Sequence, residues 1–112
     1  MDILSYDENL ENCVLGTIIL CNEEYDNVAK YFVNKNVFYQ KRAGLLWNKI
    51  TQMKKKDETI DTFTVASSLT KEQIEQGLTA HYITICTEVS TVAGSIDFHA
   101  NKLYEKYLLR QI

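Results

Sequence analysis

Residues 38–53 read FYQKRAGLLWNKITQM, and this stretch carries the only tryptophan of the chain. Its apolar side chains recur at spacings of three and four, which places them on one stripe of an α-helix: Ala43, Leu46, Trp47, Ile50 and Met53. Three lysines follow at 54–56, where positive charge suits the negative end of the helix dipole. The pattern predicts a buried amphipathic helix that serves as the central helix of a small bundle.

The composition points to a single helical domain. A chain of 112 residues is the size of one domain. It has no proline and only four glycines, so few residues would interrupt a helix. The hydrophobic fraction of 46% and the charged fraction of 24% are those of an ordinary globular protein. We therefore expect an all-α fold, a compact bundle of about six to seven helices.

The charge and the termini exclude several classes of protein. The net charge is −3, whereas a nucleic-acid-binding domain normally carries a basic excess. No apolar run reaches the ~18 residues of a membrane span. The start, MDILSYDENL, lacks the basic and apolar regions of a signal peptide, so we expect a cytoplasmic protein. Three cysteines, an odd number without regular spacing, indicate no disulfide framework.

In the first part of the chain, residues 1–8 are predicted to be a flexible segment, and residues 9–112 to form the domain. A first helix is expected over residues 9–20. Gly16 lies inside it, although glycine costs about 1 kcal/mol there relative to alanine, so another helix should cross closely at this point. A second helix is expected over residues 23–33, followed by a break at 34–36.

In the second part, Asp61 or Thr62 is predicted to cap a short helix over residues 63–69, despite its β-branched residues. Thr70 should cap another helix that ends near Gly77. A helix over residues 78–89, a loop over 90–95 and a last helix from 96 to the terminus complete the bundle. The inward residues of the helix at 78–89 are predicted to be Tyr82, Ile85, Cys86 and Val89.

No catalytic or metal-binding pattern is present in the sequence. It contains no GxxxxGK[ST], GxGxxG, HExxH or CxxC, and His81 and His99 lie in separate predicted helices. A zinc site built from the three cysteines is less plausible than three small apolar thiols. The carboxylate pairs at 23–24 and 57–58 fall at helix starts or turns, where acidic groups suit the helix dipole. We expect no catalysis, metal or cofactor in this domain.

Two surface features leave alternatives open. Tyr82 follows His81 at the start of a helix; it either packs inward or presents an aromatic side chain to a partner protein, where tyrosine is enriched. The lysines at 54–56, with Lys41 and Arg42 on the same helix, are either a solvated helix end or a contact for an acidic partner or phosphate.

Several short motifs, in order, resemble one family. Residues 11–16 (ENCVLG) are similar to the E-x-[AS]-V-L-G that opens the N-terminal domain of DnaB-type replicative DNA helicases. Residues 38–39 (FY) and the DTFTVA of 61–66 resemble later motifs of that family at its spacing, and residues 104–110 (YEKYLLR) resemble its v-x-E-K-x-x-L-R stretch. Ala43 replaces a family histidine, and the chain has no equivalent of a family V-P.

The resemblance implies a compact helical domain for assembly and partner docking. In that family such domains form a collar over a hexameric motor and bind primase and, in some systems, a helicase loader. ATP and magnesium would belong to a motor domain outside this sequence. Tyr82 matches a family tyrosine on the primase-facing side, so the resemblance implies a partner-binding residue there.

Three alternatives remain at this point. The first is a free-standing phage or mobile-element protein of the same fold that binds or inhibits helicase, loader or primase; an open reading frame that continues into a Walker motif would argue against it. The second is a small helical enzyme, which would need a polar cleft with perturbed ionisable groups. The third is direct DNA binding, which the acidic balance opposes.

Overall fold

A computed structural model describes residues 5–90 and 95–112, and over these ranges the chain is all-helical, with seven α-helices and no strand. The helices are α1 (Glu8–Leu20), α2 (Tyr25–Ala29), α3 (Lys41–Lys55), α4 (Thr62–Ser67), α5 (Lys71–Glu75), α6 (Ala80–Glu88) and α7 (Ile96–Arg110). Two 3₁₀ turns, Asn22–Glu24 and Lys35–Val37, flank α2 and precede α3. None of the described helices is long and apolar enough to cross a membrane.

The helix at the centre of the bundle is α1, not α3. It is buried almost continuously from Glu11 to Ile19, and it packs against α3, α6 and α7. Its middle reads VLGTIIL, which is apolar on nearly every side and therefore needs neighbours all round. The prediction that α3 is the central helix is wrong, because α3 carries a strong apolar stripe on one side only.

The close crossing predicted at Gly16 is confirmed. A Cβ atom on residue 16 would overlap the backbone carbonyl of Cys86 in α6. Four residues earlier, the amide oxygen of Asn12 accepts a hydrogen bond from the hydroxyl of Tyr82. From the first pair, Asn12 and Tyr82, to the second, Gly16 and Cys86, the residue number rises by four in both helices. The helices α1 and α6 therefore run parallel, and their backbones are in contact at Gly16.

The predicted stripe of α3 is also confirmed. Ala43, Leu46, Trp47, Ile50 and Met53 are all buried. The indole N–H of Trp47 donates to the carbonyl of Phe32 at 3.1 Å, and its ring stacks on that of Tyr25 with centroids 5.0 Å apart. The helix begins later than the quoted stretch, at Lys41, because Phe38 and Gln40 have extended backbone angles.

Capping explains why the β-branched segment after residue 61 is helical. The carboxylate of Asp61 accepts from the N–H of Thr64, whose hydroxyl in turn accepts from the N–H of Asp61. Thr70 and Gln73 form the same reciprocal box at the start of α5. The Thr70 cap was predicted, and Asp61 was one of the two residues predicted for the other cap. Both caps satisfy backbone N–H groups that short helices would otherwise leave without a hydrogen-bond partner.

Two helices differ from their predicted extents or faces. The α-helical part of the second helix covers only Tyr25–Ala29, and its predicted acidic start forms the 3₁₀ turn instead. In α6, Tyr82, Ile83 and Cys86 are buried and Ile85 is half-buried, whereas Val89, which directly follows the helix, is exposed. The predicted inward stripe of α6 is wrong at Val89 and missed Ile83, because the parallel crossing with α1 sets which side faces the core. Residues 91–94 of the predicted loop lie outside the described residues.

The segment predicted to be flexible overlaps the first helix by one residue, since α1 begins at Glu8. Asp7 caps that helix through a hydrogen bond from the N–H of Leu10 at 3.0 Å. The ring of Tyr6 stacks on that of Tyr39 with centroids 3.9 Å apart. Residues 5–7 therefore contact the domain, while residues 1–4 lie outside the described part of the chain.

Candidate docking surfaces

Helix α7 presents apolar side chains on both its buried and its exposed side. Ile96, Ala100 and Leu103 face the core. On the outside, Phe98 is 61% exposed, and Leu109 lies about three turns further along the same side. Leu108 and Ile112 add exposed apolar area at the carboxyl end. We call these four side chains the α7 surface: Phe98, Leu108, Leu109 and Ile112.

The carboxyl end of α7 is fixed by Arg110. Its guanidinium donates to the carbonyl of Ser5 at 2.6 Å and to the carbonyl of Val37 at 2.8 Å. The rings of Tyr39 and Tyr107 each lie 5.8 Å from the guanidinium carbon, on the scale of a cation–π contact. One side chain thus joins the end of α7 to the segment before α1 and to the 3₁₀ turn before α3, which holds the α7 surface in place.

Tyr82, the predicted partner-binding residue, lies in the core. Its side chain is 0% exposed, and its hydroxyl donates to Asn12 Oδ1 at 2.7 Å. The guanidinium of Arg42 lies 4.1 Å from the ring centroid, and burial raises the pKa of the Tyr82 hydroxyl. Of the two alternatives left open for Tyr82, the structure shows the inward packing, because the crossing with α1 turns this side of α6 toward the core. His81, beside it, is exposed. A partner-binding role for Tyr82 stays a prediction that no contact here tests.

Glu11, near Tyr82, carries a buried carboxylate whose structural role the sequence did not indicate. Glu11 is 1% exposed and accepts from the backbone N–H groups of Tyr39 at 2.6 Å and Gln40 at 3.1 Å. Burial raises the pKa of the Glu11 carboxyl above its ordinary value, while those hydrogen bonds and the charge of Arg110 act in the opposite direction. Glu11 thus holds the chain just before α3 against α1.

The amide of Gln40 completes this network. Its nitrogen donates to Glu11 Oε1 at 3.1 Å and to Asn12 Oδ1 at 3.0 Å, and its oxygen accepts from the Arg42 guanidinium at 3.3 Å. Within residues 5–90 and 95–112, no buried side-chain nitrogen or oxygen lacks a hydrogen-bond partner. The polar groups between α1, α3 and α6 are thus satisfied internally, as a structural network requires.

A family model for the DnaB-like helicase N-terminal domain matches residues 3–105. The chain belongs to the DnaB N-terminal domain family. A crystal structure of the N-terminal domain of DnaB helicase from Mycobacterium tuberculosis superimposes with a TM-score of 0.87. That match has 23% sequence identity and covers 97% of this chain and 79% of the other. A comparison with curated protein sequences gave no match.

The geometry gives the quoted motifs of this DnaB-type domain a physical meaning. In ENCVLG, Glu11 holds the start of α3, Asn12 binds Tyr82, and Gly16 admits α6. In the last motif, Arg110 clamps the end of α7. Glu11, Gly16 and Arg110, which carried the resemblance, are therefore packing and hydrogen-bonding positions, whereas Asn12 stands at an unspecified position of the family motif.

The cysteines of the domain are dispersed. Cys86 is buried, and burial raises the pKa of its thiol to about 11. Cys21 donates through its sulfur to the carboxylate of Glu23 at 3.0 Å, and Cys13 is half-buried. In the part of the chain that the structure describes, no group of His, Cys, Asp and Glu side chains is arranged to hold a metal ion.

The basic residues that the sequence groups on one helix have different environments in the structure. Arg42 belongs to the internal network, whereas Lys41 and the lysines at 54–56 are exposed. Lys49, not predicted as a site residue, is buried and donates to the carbonyl of Ser68 at 2.9 Å, at the end of α4. Burial lowers the pKa of Lys49. Of the exposed lysines, Lys55 borders a groove between α2 and α3, together with Lys35 from the 3₁₀ turn before α3.

Proposed function

We propose that this DnaB-type domain is an assembly and docking unit of a hexameric replicative helicase. Copies of the domain form a collar, and the collar binds primase and, in some systems, a helicase loader. The domain itself performs no catalysis and needs no cofactor; ATP and magnesium act in the motor domain of such a helicase. The α7 surface carries this proposal, because it is the largest set of exposed apolar side chains on one helix of the described chain.

The α7 surface suits association between rigid domains. Phe98 and Leu109 are exposed on one side of a single helix, and exposed apolar side chains grouped on one surface mark interaction sites. Between them, Lys102 and Glu105 form a salt bridge at 3.7 Å, so the charged groups on this side neutralise each other. Because Arg110 fixes the helix end, little ordering entropy would be lost on association.

The test measures mass and partner binding in solution. Light scattering after gel filtration, across a range of protein concentrations, reports whether copies associate. We expect Phe98→Glu combined with Leu109→Glu to shift the protein to monomer, because charged side chains would replace two apolar side chains of the α7 surface. Ile74→Glu is the matched control, since Ile74 is an exposed apolar residue of α5, outside the α7 surface. The same samples are then tested for binding to the tail of the cognate primase.

The outcomes are distinct. Association of the unmodified protein and of the Ile74 variant, with monomers of the double variant, supports the proposal. If all three are monomeric at every concentration and none binds the primase tail, the proposal is wrong. Circular dichroism checks that the variants fold, which we expect because all three positions are exposed.

A further inference from the structure

We propose that the groove between α2 and α3 is a docking site for an acidic amphipathic segment of a partner protein. The groove has a volume of about 500 Å³, enough for a few apolar side chains. Its floor contains Trp47 and Phe32, its wall contains Val33 and Ala29, and its rim carries Lys35 and Lys55. Apolar side chains of the partner would enter the groove, and its carboxylates would meet the two lysines.

The floor of the groove is already formed in the free protein. The rings of Tyr25 and Trp47 stack, and Trp47 is held by its hydrogen bond to the carbonyl of Phe32. The hydroxyl of Tyr25 donates to the hydroxyl of Thr51 at 3.2 Å, which ties α2 to α3 across the groove. A partner would therefore find a fixed shape, and it would not have to order these rings on binding.

The wall of the groove is apolar and open. Val33 is 70% exposed at its edge. A single exposed valine is ordinary, but this one borders a concave surface whose floor is aromatic. Helical segments commonly bind in such grooves through apolar anchors spaced three and four residues apart.

The charge of the groove has the opposite sign to that of the protein as a whole. The net charge of the chain is −3, yet the groove is lined by two lysines and by no aspartate or glutamate. Neither lysine forms a salt bridge within the described residues. This local excess of positive charge selects a partner segment that carries carboxylates.

The backbone places Lys35 at the rim. A Cβ atom on residue 44 would lie 2.8 Å from the carbonyl oxygen of Lys35, so glycine at that position lets the 3₁₀ turn lie directly against α3. The two cations therefore stand on different elements: Lys35 on the turn and Lys55 in the last turn of α3. Two carboxylates on one helical segment could reach both.

The aromatic floor favours a peptide over single-stranded nucleic acid. Nucleic acid of this kind binds where bases stack on open aromatic faces. Here Trp47 is only 3% exposed, its face is covered by Tyr25, and Phe32 meets it edge-on. Aliphatic side chains can fill the space beside these rings, whereas a base would find no free face of Trp47 on which to stack.

The groove and the α7 surface share no residue. From the proposed function we take only the premise that this domain docks partners. Loss of self-association in the α7 variants would leave the groove unaffected, and failure of peptide binding would leave the collar proposal intact.

The sole tryptophan makes binding at the groove directly observable by fluorescence. The probe is an amphipathic peptide of about 16 residues, with leucine and phenylalanine at helical spacing and glutamate elsewhere. We expect a saturable change in Trp47 emission. Lys35→Gln combined with Lys55→Gln should weaken binding by about five- to twentyfold, and added salt should weaken it further.

A control variant that also removes two lysines tests whether the effect depends on their position in the groove. Lys56→Gln combined with Lys71→Gln removes two exposed lysines that do not line the groove, and it should change the affinity by less than about twofold. A peptide with lysine in place of glutamate should bind at least about tenfold more weakly. Val33→Asp tests the groove without touching a lysine, because it places a carboxylate where the acidic peptide would lie.

Several results would overturn the proposal. The groove is not the site if the double lysine variant and Val33→Asp both bind the acidic peptide as the unmodified protein does. Equal binding of the basic peptide or of a scrambled acidic peptide would remove the charge or helix argument. Tighter binding of a single-stranded thymidine oligonucleotide, with the same dependence on Lys35 and Lys55, would assign the groove to nucleic acid. Loss of self-association in the lysine variants would assign it to a second copy of the chain.

Discussion

Helix α1 meets α6 and α3 in two different ways. Against α6 it offers bare backbone, because Gly16 leaves no side chain between the helix and the carbonyl of Cys86. Against α3 it offers a charge, because the carboxylate of Glu11 accepts the N–H groups of Tyr39 and Gln40. The contact at Gly16 leaves no room for an added side-chain atom. At Glu11, loss of the carboxylate would leave the N–H groups of Tyr39 and Gln40 without an acceptor.

The difference shows how one helix serves as the centre of this bundle. A backbone contact fixes the distance between α1 and α6, and a buried polar contact fixes where α3 begins. Tyr82 belongs to both, since it lies on α6, binds Asn12 of α1 and is covered by Arg42 of α3. Substitutions at Gly16, Tyr82 and Glu11 should therefore differ in how much stability they remove and in the physical cause of the loss.

Gly16→Val should have the largest effect. Its side chain would overlap backbone atoms of α6, which cannot move aside as a flexible side chain can. We expect a loss of about 4 kcal/mol or more in the free energy of unfolding, measured by urea denaturation. Leu20→Val, at an exposed position of the same helix, is the control and should cost well under about 1 kcal/mol. A Gly16 variant as stable as this control would contradict the crossing.

Tyr82→Ala comes next, with an expected loss of about 3 to 5 kcal/mol in the free energy of unfolding, because a fully buried ring is removed. Tyr82→Phe keeps the ring and removes the hydroxyl, with its hydrogen bond to Asn12 and its contact with the Cys86 thiol, so it should cost about 1 kcal/mol. Thermal and urea unfolding of both variants separate packing from hydrogen bonding.

The neighbouring His81→Ala serves as the control for Tyr82, since His81 is exposed and should change stability by less than about 0.5 kcal/mol. If Tyr82→Ala is as stable as the unmodified protein but binds primase more weakly, Tyr82 acts at a partner-binding surface instead.

Signals that act over a few residues could be predicted from the sequence. The α3 stripe, the capping boxes at Asp61 and Thr70, and the glycine of α1 all follow from spacings within one helix or turn. The burial of Trp47 follows in the same way. These local patterns, together with the ordered family motifs, were sufficient for the fold class.

Contacts between distant segments could not be predicted. Nothing near Glu11 in the sequence indicates that its partners are backbone N–H groups at 39 and 40. The inward side of α6 depends on the parallel crossing with α1, so the periodicity alone placed Tyr82 and Cys86 correctly but misplaced Val89 and missed Ile83. The same holds for the candidate surfaces, since the family resemblance indicates docking but names no residue of the α7 surface or of the groove.

Glu11→Gln should have the smallest effect of the three, about 1 to 2 kcal/mol in the free energy of unfolding at neutral pH, measured by urea denaturation. The amide keeps the size of the side chain and one acceptor oxygen, but its nitrogen would face backbone donors. Glu8→Gln is the matched control, because Glu8 is an exposed residue of the same helix and should change stability by less than about 0.5 kcal/mol.

The pH dependence of this variant separates a buried acid from an ordinary one. Burial holds the pKa of folded Glu11 above its ordinary value of 4.5, so between those two values the folded protein binds a proton that the unfolded chain has lost. The stability contributed by this group is therefore present below about pH 4.5 and falls as the pH rises through the folded pKa. Glutamine does not titrate, so the stability difference between the unmodified protein and Glu11→Gln should shrink as the pH rises through this window. If the stability difference grows instead, the hydrogen bonds from Tyr39 and Gln40, together with the charge of Arg110, outweigh the effect of burial on the pKa of Glu11. The folded protein would then favour the ionised carboxylate, and this charged group would hold α3 against α1.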